Sequence, residues 1–500
     1  MGHSETISNL PLLSTILLLP LIGASAIWLL PVPKARLTTL ITLVLALFPA
    51  IAVVLLLDPQ NPGFQFVEHY PWMPALDAHF RFGVDGISVA FLPLTLLLMI
   101  GVTLASWTHV QTLQRVYFSL LLLFATATLG VFITIDALAF FLFWELTLAP
   151  LYFLISLWGI GPHRRYAATK YTLFMLAGGI PLLLAIAVVA FNHAEIIGAT
   201  APAGLSFDYQ TLLDTPLPAG LEMVVFLFLL IGFAVKTPLF PLHTWLPIVA
   251  LEGPVPVAAL LVGLKLGVYG LIRFAVPLAP SAAQELHWLL AGLGVIGIIY
   301  GALAALNQTN LRRMLAYASM SHVGLVVLGV ASFNLQGLQG AIFQLLNFVV
   351  IAGGLFLLTG YLHHRLGSTD LIHLGGAAQT MPLLAAFFMF LGLASLGIPG
   401  SSGFPAELLI LISALQTHTG AGLAALFGMI LGAAYLLNSY RRCFYGPITD
   451  GQVRSAQDLR PRERLTMAVF SLLVLVFGLF PGLVLDLTQS TAMLWLARLQ

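Results

Sequence analysis

Apolar runs of about twenty residues, each long enough to cross a bilayer, follow one another along nearly the whole chain. Of 500 residues, 60% are hydrophobic and only 8% charged, against roughly 25% charged in soluble domains. In hydrocarbon the backbone must satisfy its own polar groups, and a helix does this within one segment. The runs predict an all-α polytopic membrane protein with about fourteen spans in one membrane domain covering 1–500. The spans fall near 10–31, 37–57, 84–106, 116–134, 137–159, 170–191, 222–247, 254–277, 285–307, 313–331, 336–362, 380–415, 419–440 and 464–486. Polar stretches 58–83 and 192–221 join spans on one side, and a short amphipathic tail, 487–500, follows the last span. No segment of strand period is long enough to predict a sheet.

Fifteen of the 20 Lys and Arg residues fall in loops after odd-numbered spans; loops after even-numbered spans hold Arg81 and, at a helix end, Arg273. Basic loops stay on the cytoplasmic side, so both termini are predicted on the other side. Met1 to Asn9 carry no Lys or Arg. A cleaved secretory signal starts with positive charge, so the first apolar run reads as a retained helix. The net charge of +1 gives no sign of a nucleic-acid partner, and lipid is the partner that composition implies. Cys443 is the only cysteine, which excludes an internal disulfide or a Cys-ligated cluster. No nucleotide-binding, zinc-protease or hydrolase motif is present. Gly292-Leu293-Gly294-Val295-Ile296-Gly297 fits a dinucleotide fingerprint but lies in mid-span, where close helix packing is the better reading.

The most unusual stretch is Gly232-Phe233-Ala234-Val235-Lys236-Thr237-Pro238-Leu239-Phe240-Pro241-Leu242-His243-Thr244-Trp245-Leu246-Pro247. A lysine at mid-membrane costs roughly 2.5–3.5 kcal/mol on insertion scales. Each proline removes a backbone donor and clashes with the preceding turn. Such backbone survives at membrane depth only where it is buried in protein or lines a water-filled cavity. A polar interior is therefore expected, with Lys236 facing it.

A weak internal repeat accompanies this break. Leu176-Ala177-Gly178-Gly179 resembles Ile351-Ala352-Gly353-Gly354. Lys236 in a broken seventh span matches Glu407 in a broken twelfth, and Glu145 in the fifth matches His322 at the start of the tenth. An odd number of spans separates the partners, so the halves have opposite orientation. Two inverted five-helix repeats are predicted, about 116–277 and 285–440, with broken helices 7 and 12. In transporters such breaks point to the ion path. The intramembrane groups available to it are Glu145, Lys236, Lys265 and Glu407, with His243 and His322 nearest. A buried lysine and a buried carboxylate favour their charged forms together and disfavour them alone. Glu145 approaching Lys236 would hold a proton there, and Glu145 swinging away would release it toward Lys265 and His322. Lys265 has only apolar or aromatic neighbours on its own helix, so water is expected to link it to Lys236 on one side and to His322 and Glu407 on the other, at mid-depth, with Asn347 lining the path. Among the remaining charges, Asp85 and Asp136 read as anchors or caps, and Lys170 as a snorkelling residue. Glu252 reads as a helix-start residue, and His363 and His364 as surface groups.

Several runs carry a family resemblance. They are Phe82-Gly83-Val84-Asp85-Gly86-Ile87-Ser88, Asp136 through Phe143-Trp144-Glu145-Leu146, Tyr166-Ala167-Ala168-Thr169-Lys170, Lys236-Thr237-Pro238 with Pro241-Leu242-His243-Thr244-Trp245-Leu246-Pro247, and Asn310-Leu311-Arg312-Arg313-Met314-Leu315-Ala316-Tyr317-Ala318-Ser319-Met320-Ser321-His322. The chain resembles the antiporter-like subunits of complex I over nearly its whole length. It is most similar to the M type, called chain 4 in mitochondria and chloroplasts and D in cyanobacteria. The resemblance implies that Glu145 pairs with Lys236, Lys265 is the central relay and Glu407 the terminal group, with His243 and His322 hydrating or relaying. It implies proton translocation driven by electron transfer in other subunits of an NAD(P)H- or ferredoxin:quinone oxidoreductase. NAD(P)H or ferredoxin, iron–sulfur clusters and quinone belong to those subunits, and no cofactor is expected in this chain. The implied partners are the other membrane subunits, including neighbouring antiporter-like ones, in a bacterial inner or cyanobacterial thylakoid membrane. Asn347 stands where the family usually has histidine, which puts one relay step in question. With His363-His364, it resembles cyanobacterial variants, including types tied to carbon dioxide uptake. The alternative is a subunit of a multisubunit cation/proton antiporter of the same fold; the short stretch 486–500 favours the M type.

Overall fold

The computed structural model describes residues 10–202, 204–448 and 450–499. Met1 to Asn9, which carry the expectation of a retained first helix without a signal, lie outside them, as does Gln500. Among the described residues eleven helices are long and apolar enough to cross a membrane, or twelve if the pair Pro461–Leu479 and Gly482–Ala497, bent by 65°, is one span. Two expected spans are made of shorter helices: the third is Phe91–Ser106, and the twelfth is the pair Pro382–Ser395 and Gly403–Thr417. Length and apolarity therefore do not by themselves reach fourteen. The terminal helix starts at Gly482, earlier than the expected tail, because the chain bends at Phe480-Pro481 and then resumes its helical hydrogen bonding.

Helices Gln114–Ile133, Val255–Leu278, Leu311–Ala331 and Leu335–Leu366 are the most enclosed. They form the centre, while Leu12–Leu29, Val32–Leu56 and Thr419–Phe444 expose much of their apolar surface. The 292–297 glycines pack as expected: a side chain on Gly294 would meet the Gly324 carbonyl at 2.8 Å, so these two helices touch backbone to backbone.

The seventh and twelfth spans are interrupted where predicted. Helix Ala219–Lys236 stops before Thr237-Pro238 and resumes as Leu246–Glu252. Pro238 offers no N–H to the carbonyl of Ala234, which accepts instead from Leu239 N at 3.0 Å. The next carbonyl, Val235, is left for Trp245 Nε1 at 2.9 Å. Pro382–Ser395 ends in the turns before Gly403–Thr417.

Two further breaks were not anticipated. The fifth span divides at Thr147 into Ala137–Leu146 and Leu148–Trp158. The eighth divides at Leu264 and Lys265, between Val255–Gly263 and Leu266–Gly270, and continues as a π turn at Leu271–Ala275. A matching π turn, Phe348–Ala352, follows Asn347 in the eleventh span. In the eighth span the cause is partly Pro277. It offers no N–H to the carbonyls of Ile272 and Arg273, and Trp495 Nε1 (2.8 Å) and the Tyr209 hydroxyl donate to them instead.

The expectation of no sheet is corrected. Within 58–83, β1 (Gln65–Met73) and β2 (Ala78–Val84) form an antiparallel hairpin with Tyr70 opposite Phe80 and Glu68 opposite Phe82. The alternation His79-Phe80-Arg81-Phe82 is strand-period, but it covers part of β2 alone, and β1 carries Pro71 and no regular alternation. Glu68 accepts from the backbone N–H of Leu13 and Ser14 (2.8 and 3.0 Å), capping the first helix.

Other placements also change. Arg273 is not at an outer helix end but buried, on Asp85, at 2.6 and 2.7 Å. Glu252 ends a helix, and its carboxylate accepts His163 N–H at 2.7 Å across the loop. His363 and His364 lie in the last turn of Gly353–Leu366 rather than in a loop, with His364 3.9 Å from His109 between ring centroids. Asp136 is a cap, as expected, accepting Ala139 N–H at 2.8 Å.

Candidate functional site

Each intramembrane charge lies beside a break in helical hydrogen bonding. Lys236 ends its helix, and its Nζ donates to the Trp144 carbonyl at 3.0 Å and to Thr147 Oγ1 at 2.8 Å. It also lies 3.9 Å from the Trp144 ring centroid, where the ring's electron-rich face attracts a cation. The break at Thr147 thus supplies a ready-made seat for the ammonium.

The expected Glu145–Lys236 pair is not closed: among the described residues no nitrogen–oxygen contact within salt-bridge distance joins them. The Glu145 carboxylate lies instead against Gly179, where any side chain would collide with it. Gly179 therefore makes room for the carboxylate, a role the repeat did not announce. Helix Arg164–Ile196 also passes close to Ala219–Lys236 there, since a side chain on Gly178 would meet Val235 at 2.9 Å.

Lys265 is buried at the junction of the two pieces of the eighth span. Its Nζ donates to Ser319 Oγ at 3.3 Å and lies 5.3 Å from the Phe348 ring centroid. A cavity borders Ser319, His322, Phe348, Ser395 and Tyr435. A second borders His322, Ser395, Tyr435 and Glu407. His322, Ser395 and Tyr435 wall both, so polar groups link the surroundings of Lys265 to Glu407. His322 lies in the middle of Leu311–Ala331 rather than at its start, which puts it level with these groups. Its Nδ1 is 3.4 Å from Glu407 Oε1, and its Nε2 is 3.4 Å from the Tyr435 hydroxyl. Both Glu407 oxygens are buried without a geometrically formed hydrogen bond. Among the described residues the polar contact to the carboxylate is the longer one from His322, so a proton or water has an open acceptor there.

The link on the other side is less complete. The cavity beside Lys236 has Thr147, Tyr171 and Trp245 in its wall, closed by Leu264 and Leu266 on either side of Lys265. The wall between the lysines is apolar there, and among the described residues no polar side chain joins them. His243 departs further from expectation. Its Nε2 is 3.2 Å from the Tyr300 hydroxyl and its ring is stacked on Phe240, so its hydrogen-bond partner is neither Lys236 nor Lys265. Its nonhelical turn after Pro241 directs it toward helix His287–Leu306.

Asn347 closes the break rather than lining open space. Its Nδ2 donates to Gln344 Oε1 at 3.1 Å and to the Ser402 carbonyl at 2.9 Å, tying the π turn of the eleventh span to the break of the twelfth. The residues missed from the sequence are Thr147, Ser319, Ser395 and Tyr435. Each is an isolated polar side chain in an apolar run, the one signal that marked them. Among the described residues no group of three or more His, Cys, Asp or Glu residues is placed to hold a metal ion.

Interrupted helices that bring lysines, carboxylates and a histidine into the core of a bundle define an antiporter-like integral membrane protein. Residues 134–432 match the family described as NADH:quinone oxidoreductase/Mrp antiporter, transmembrane, and the chain belongs to that family. It is 39% identical over 508 residues to NAD(P)H-quinone oxidoreductase chain 4 1 of Synechococcus sp. (strain JA-2-3B'a(2-13)), covering 98% of this chain and 93% of the relative. It is 36% identical over 490 residues to NADH-quinone oxidoreductase subunit M of Rickettsia bellii (strain RML369-C), covering 96% and 97%. Its fold is similar to a chain of respiratory complex I from Thermus thermophilus, with a TM-score of 0.87 and 32% identity over 97% of this chain and 99% of that one. A chain of the Mrp complex from Dietzia sp. DQ12-45-1b shares the fold at a TM-score of 0.78 and 23% identity, over 97% of this chain and 52% of that one.

Proposed function

We propose that this chain is an M-type, proton-translocating membrane subunit of a complex I-type NAD(P)H- or ferredoxin:quinone oxidoreductase. The supporting observation is the pair of cavities sharing His322, Ser395 and Tyr435 between Lys265 and Glu407. Approach of Glu145 holds a proton on Lys236, and withdrawal of the carboxylate to Gly179 frees it. Water entering beside Thr147 and Tyr171 carries it past the apolar wall to Lys265. Ser319 and His322 then pass it to Glu407. His243, turned toward Tyr300, hydrates the first half of the path. The residues fall into repeats 116–277 and 285–440 of opposite orientation. Electron donor, iron–sulfur clusters and quinone sit in partner subunits, including neighbouring antiporter-like ones. The membrane is a bacterial inner or thylakoid membrane, with both termini on its non-cytoplasmic side.

In the assembled complex, Lys236→Met should leave the redox subunits in place and remove most proton transfer per electron. Normal pumping by a correctly assembled variant would overturn the reading. Purification without a quinone-reducing arm, but with other antiporter subunits, would favour cation/proton exchange instead.

A further inference from the structure

A buried ion pair near the Lys-poor face takes no part in the relay described above. Arg273 holds Asp85 with two parallel hydrogen bonds, Nη1–Oδ2 at 2.7 Å and Nη2–Oδ1 at 2.6 Å. Asp85 follows β2 and is 2% exposed; Arg273 is 6% exposed. Asp85 Oδ1 also accepts the N–H groups of Ile87 and Ser88, at 3.0 and 3.1 Å. On one side of the pair lies a cavity walled by Asp85, Tyr209, Gln210, Arg273, Thr491 and Arg498. It is built from the polar stretches 58–83 and 192–221 together with the end of the eighth span and the terminal helix. On the other side Arg273 Nε donates to the Tyr269 hydroxyl at 3.4 Å. Tyr269 lies one helical turn beyond Lys265 and bonds its carbonyl through the backbone at 3.3 Å. The Tyr269 hydroxyl donates to the Phe132 carbonyl at 3.3 Å, and Lys265 sits at the interruption just before this helical segment.

The segment carrying Arg273 is held from outside its own helix. Tyr209 and Trp495 bond its two orphaned carbonyls, and Gly86 N–H donates to Thr491 Oγ1 at 3.2 Å. The hairpin, the Tyr209–Leu213 turn and the terminal helix thus all bear on one ion pair.

We propose that Asp85 is the outlet carboxylate of a branch leading from Lys265 to the non-cytoplasmic face, and that Arg273 is the latch that keeps it shut. This rests on the relay reading above. When the pair parts, Lys265 leaves Ser319 and its ammonium gives a proton to the Tyr269 hydroxyl, which turns from the Phe132 carbonyl and passes its own proton to the Asp85 carboxylate. Lys265 becomes a neutral amine, Tyr269 is unchanged, and the Asp85 carboxylic acid loses the proton to water in the outer cavity. Arg273 then recloses on the carboxylate.

A purely structural ion pair makes its two members equivalent, whereas an outlet and its latch have opposite phenotypes. The test uses the whole complex in sealed vesicles and measures turnover-driven pumping and passive proton leak under an imposed pH difference. Asp85→Asn should lower pumping by about tenfold or more, the range of a lost proton-transfer group, with no added leak. Arg273→Gln should raise the leak severalfold, and adding Lys265→Met should abolish that leak. Equal defects in the two variants, no change in proton movement in either, or a leak that survives Lys265→Met would overturn the proposal. Removing one member of a buried pair strains folding, so hydroxyl-radical footprinting of the unaltered complex provides an independent measurement. Tyr269 should be labelled during turnover and protected at rest; protection in both states would overturn the branch. Wild-type behaviour of both pair variants while Lys265→Met stops pumping rejects this branch alone. Normal pumping in Lys265→Met rejects the relay itself.

Discussion

Lys236 is kept in an apolar bundle without a closed counter-ion. Its acceptors are the Trp144 carbonyl and the Thr147 hydroxyl, and those exist because the helix is interrupted there. Neutral acceptors of this kind stay in place when the proton leaves, whereas a carboxylate in contact would oppose its departure. Glu145 rests against Gly179 instead. Asn347 works differently, as a clamp between two interrupted spans. Asn347→Leu would strand the Ser402 carbonyl and the Gln344 side chain, both of which receive its Nδ2. An unpaired buried polar group costs about 1–3 kcal/mol. The variant should melt at a lower temperature in detergent and pump less, with quinone reduction by the remaining complex unchanged.

Interrupted helices need donors from elsewhere, and this chain supplies them with indole and phenol groups. Trp245 serves Val235, while Trp495 and Tyr209 serve the eighth span. Trp245→Phe keeps most of the ring and removes the donor. It should destabilise the seventh span by about 1–3 kcal/mol, seen as a lower melting temperature and faster amide exchange near the break. The helix start at Asp136 carries a pH signal. Asp136 caps Ala137–Leu146 and is fully buried. Burial pushes its carboxyl up to about 6, only partly offset by the N–H groups of Ala139 and His79. An acid whose folded value is raised binds its proton more tightly in the fold. Its stabilising contribution is present at low pH and is lost as pH rises from about 4, the unfolded value, through about 6. Asp136→Asn keeps a good cap and cannot ionise. Thermal melts between pH 4 and 7 should fall more steeply for the native chain than for the variant; parallel curves would refute the assignment.

Across the membrane domain, the proposed path runs through space shared by four or more helices rather than along any one. Ser395 shows this best, since it borders both cavities between Lys265 and Glu407 and titrates nothing. Ser395→Leu should fill the junction, leave every ionisable group in place and lower pumping by about tenfold, equivalent to roughly 1.4 kcal/mol of added barrier. Assembly, followed by the presence of neighbouring subunits after purification, should be unaffected. Full pumping with the junction filled would show that the shared space is not the route.

Much of this architecture could be read in the linear chain. The apolar runs and the basic bias of alternate loops follow from composition alone, because lipid tolerates neither charge nor unpaired backbone. Pro238 and Pro241 announce the break beside Lys236, and the glycine-rich turn before Glu407 announces its counterpart. Six ionisable residues were marked by being charged or imidazole-bearing where neither belongs. The break at Lys265 was silent, since Leu264-Lys265-Leu266-Gly267 contains no proline and its interruption is stabilised by contacts from other helices. The hairpin was hidden because β1 carries Pro71 and no regular alternation. Which acceptor Lys236 takes, that His243 turns to Tyr300, that Asn347 binds Ser402, and that Asp85 meets Arg273 188 residues away are matters of packing. Each depends on which faces of separate helices are pressed together, and an apolar sequence carries little pattern to say so, because nearly every face of every helix is already hydrophobic.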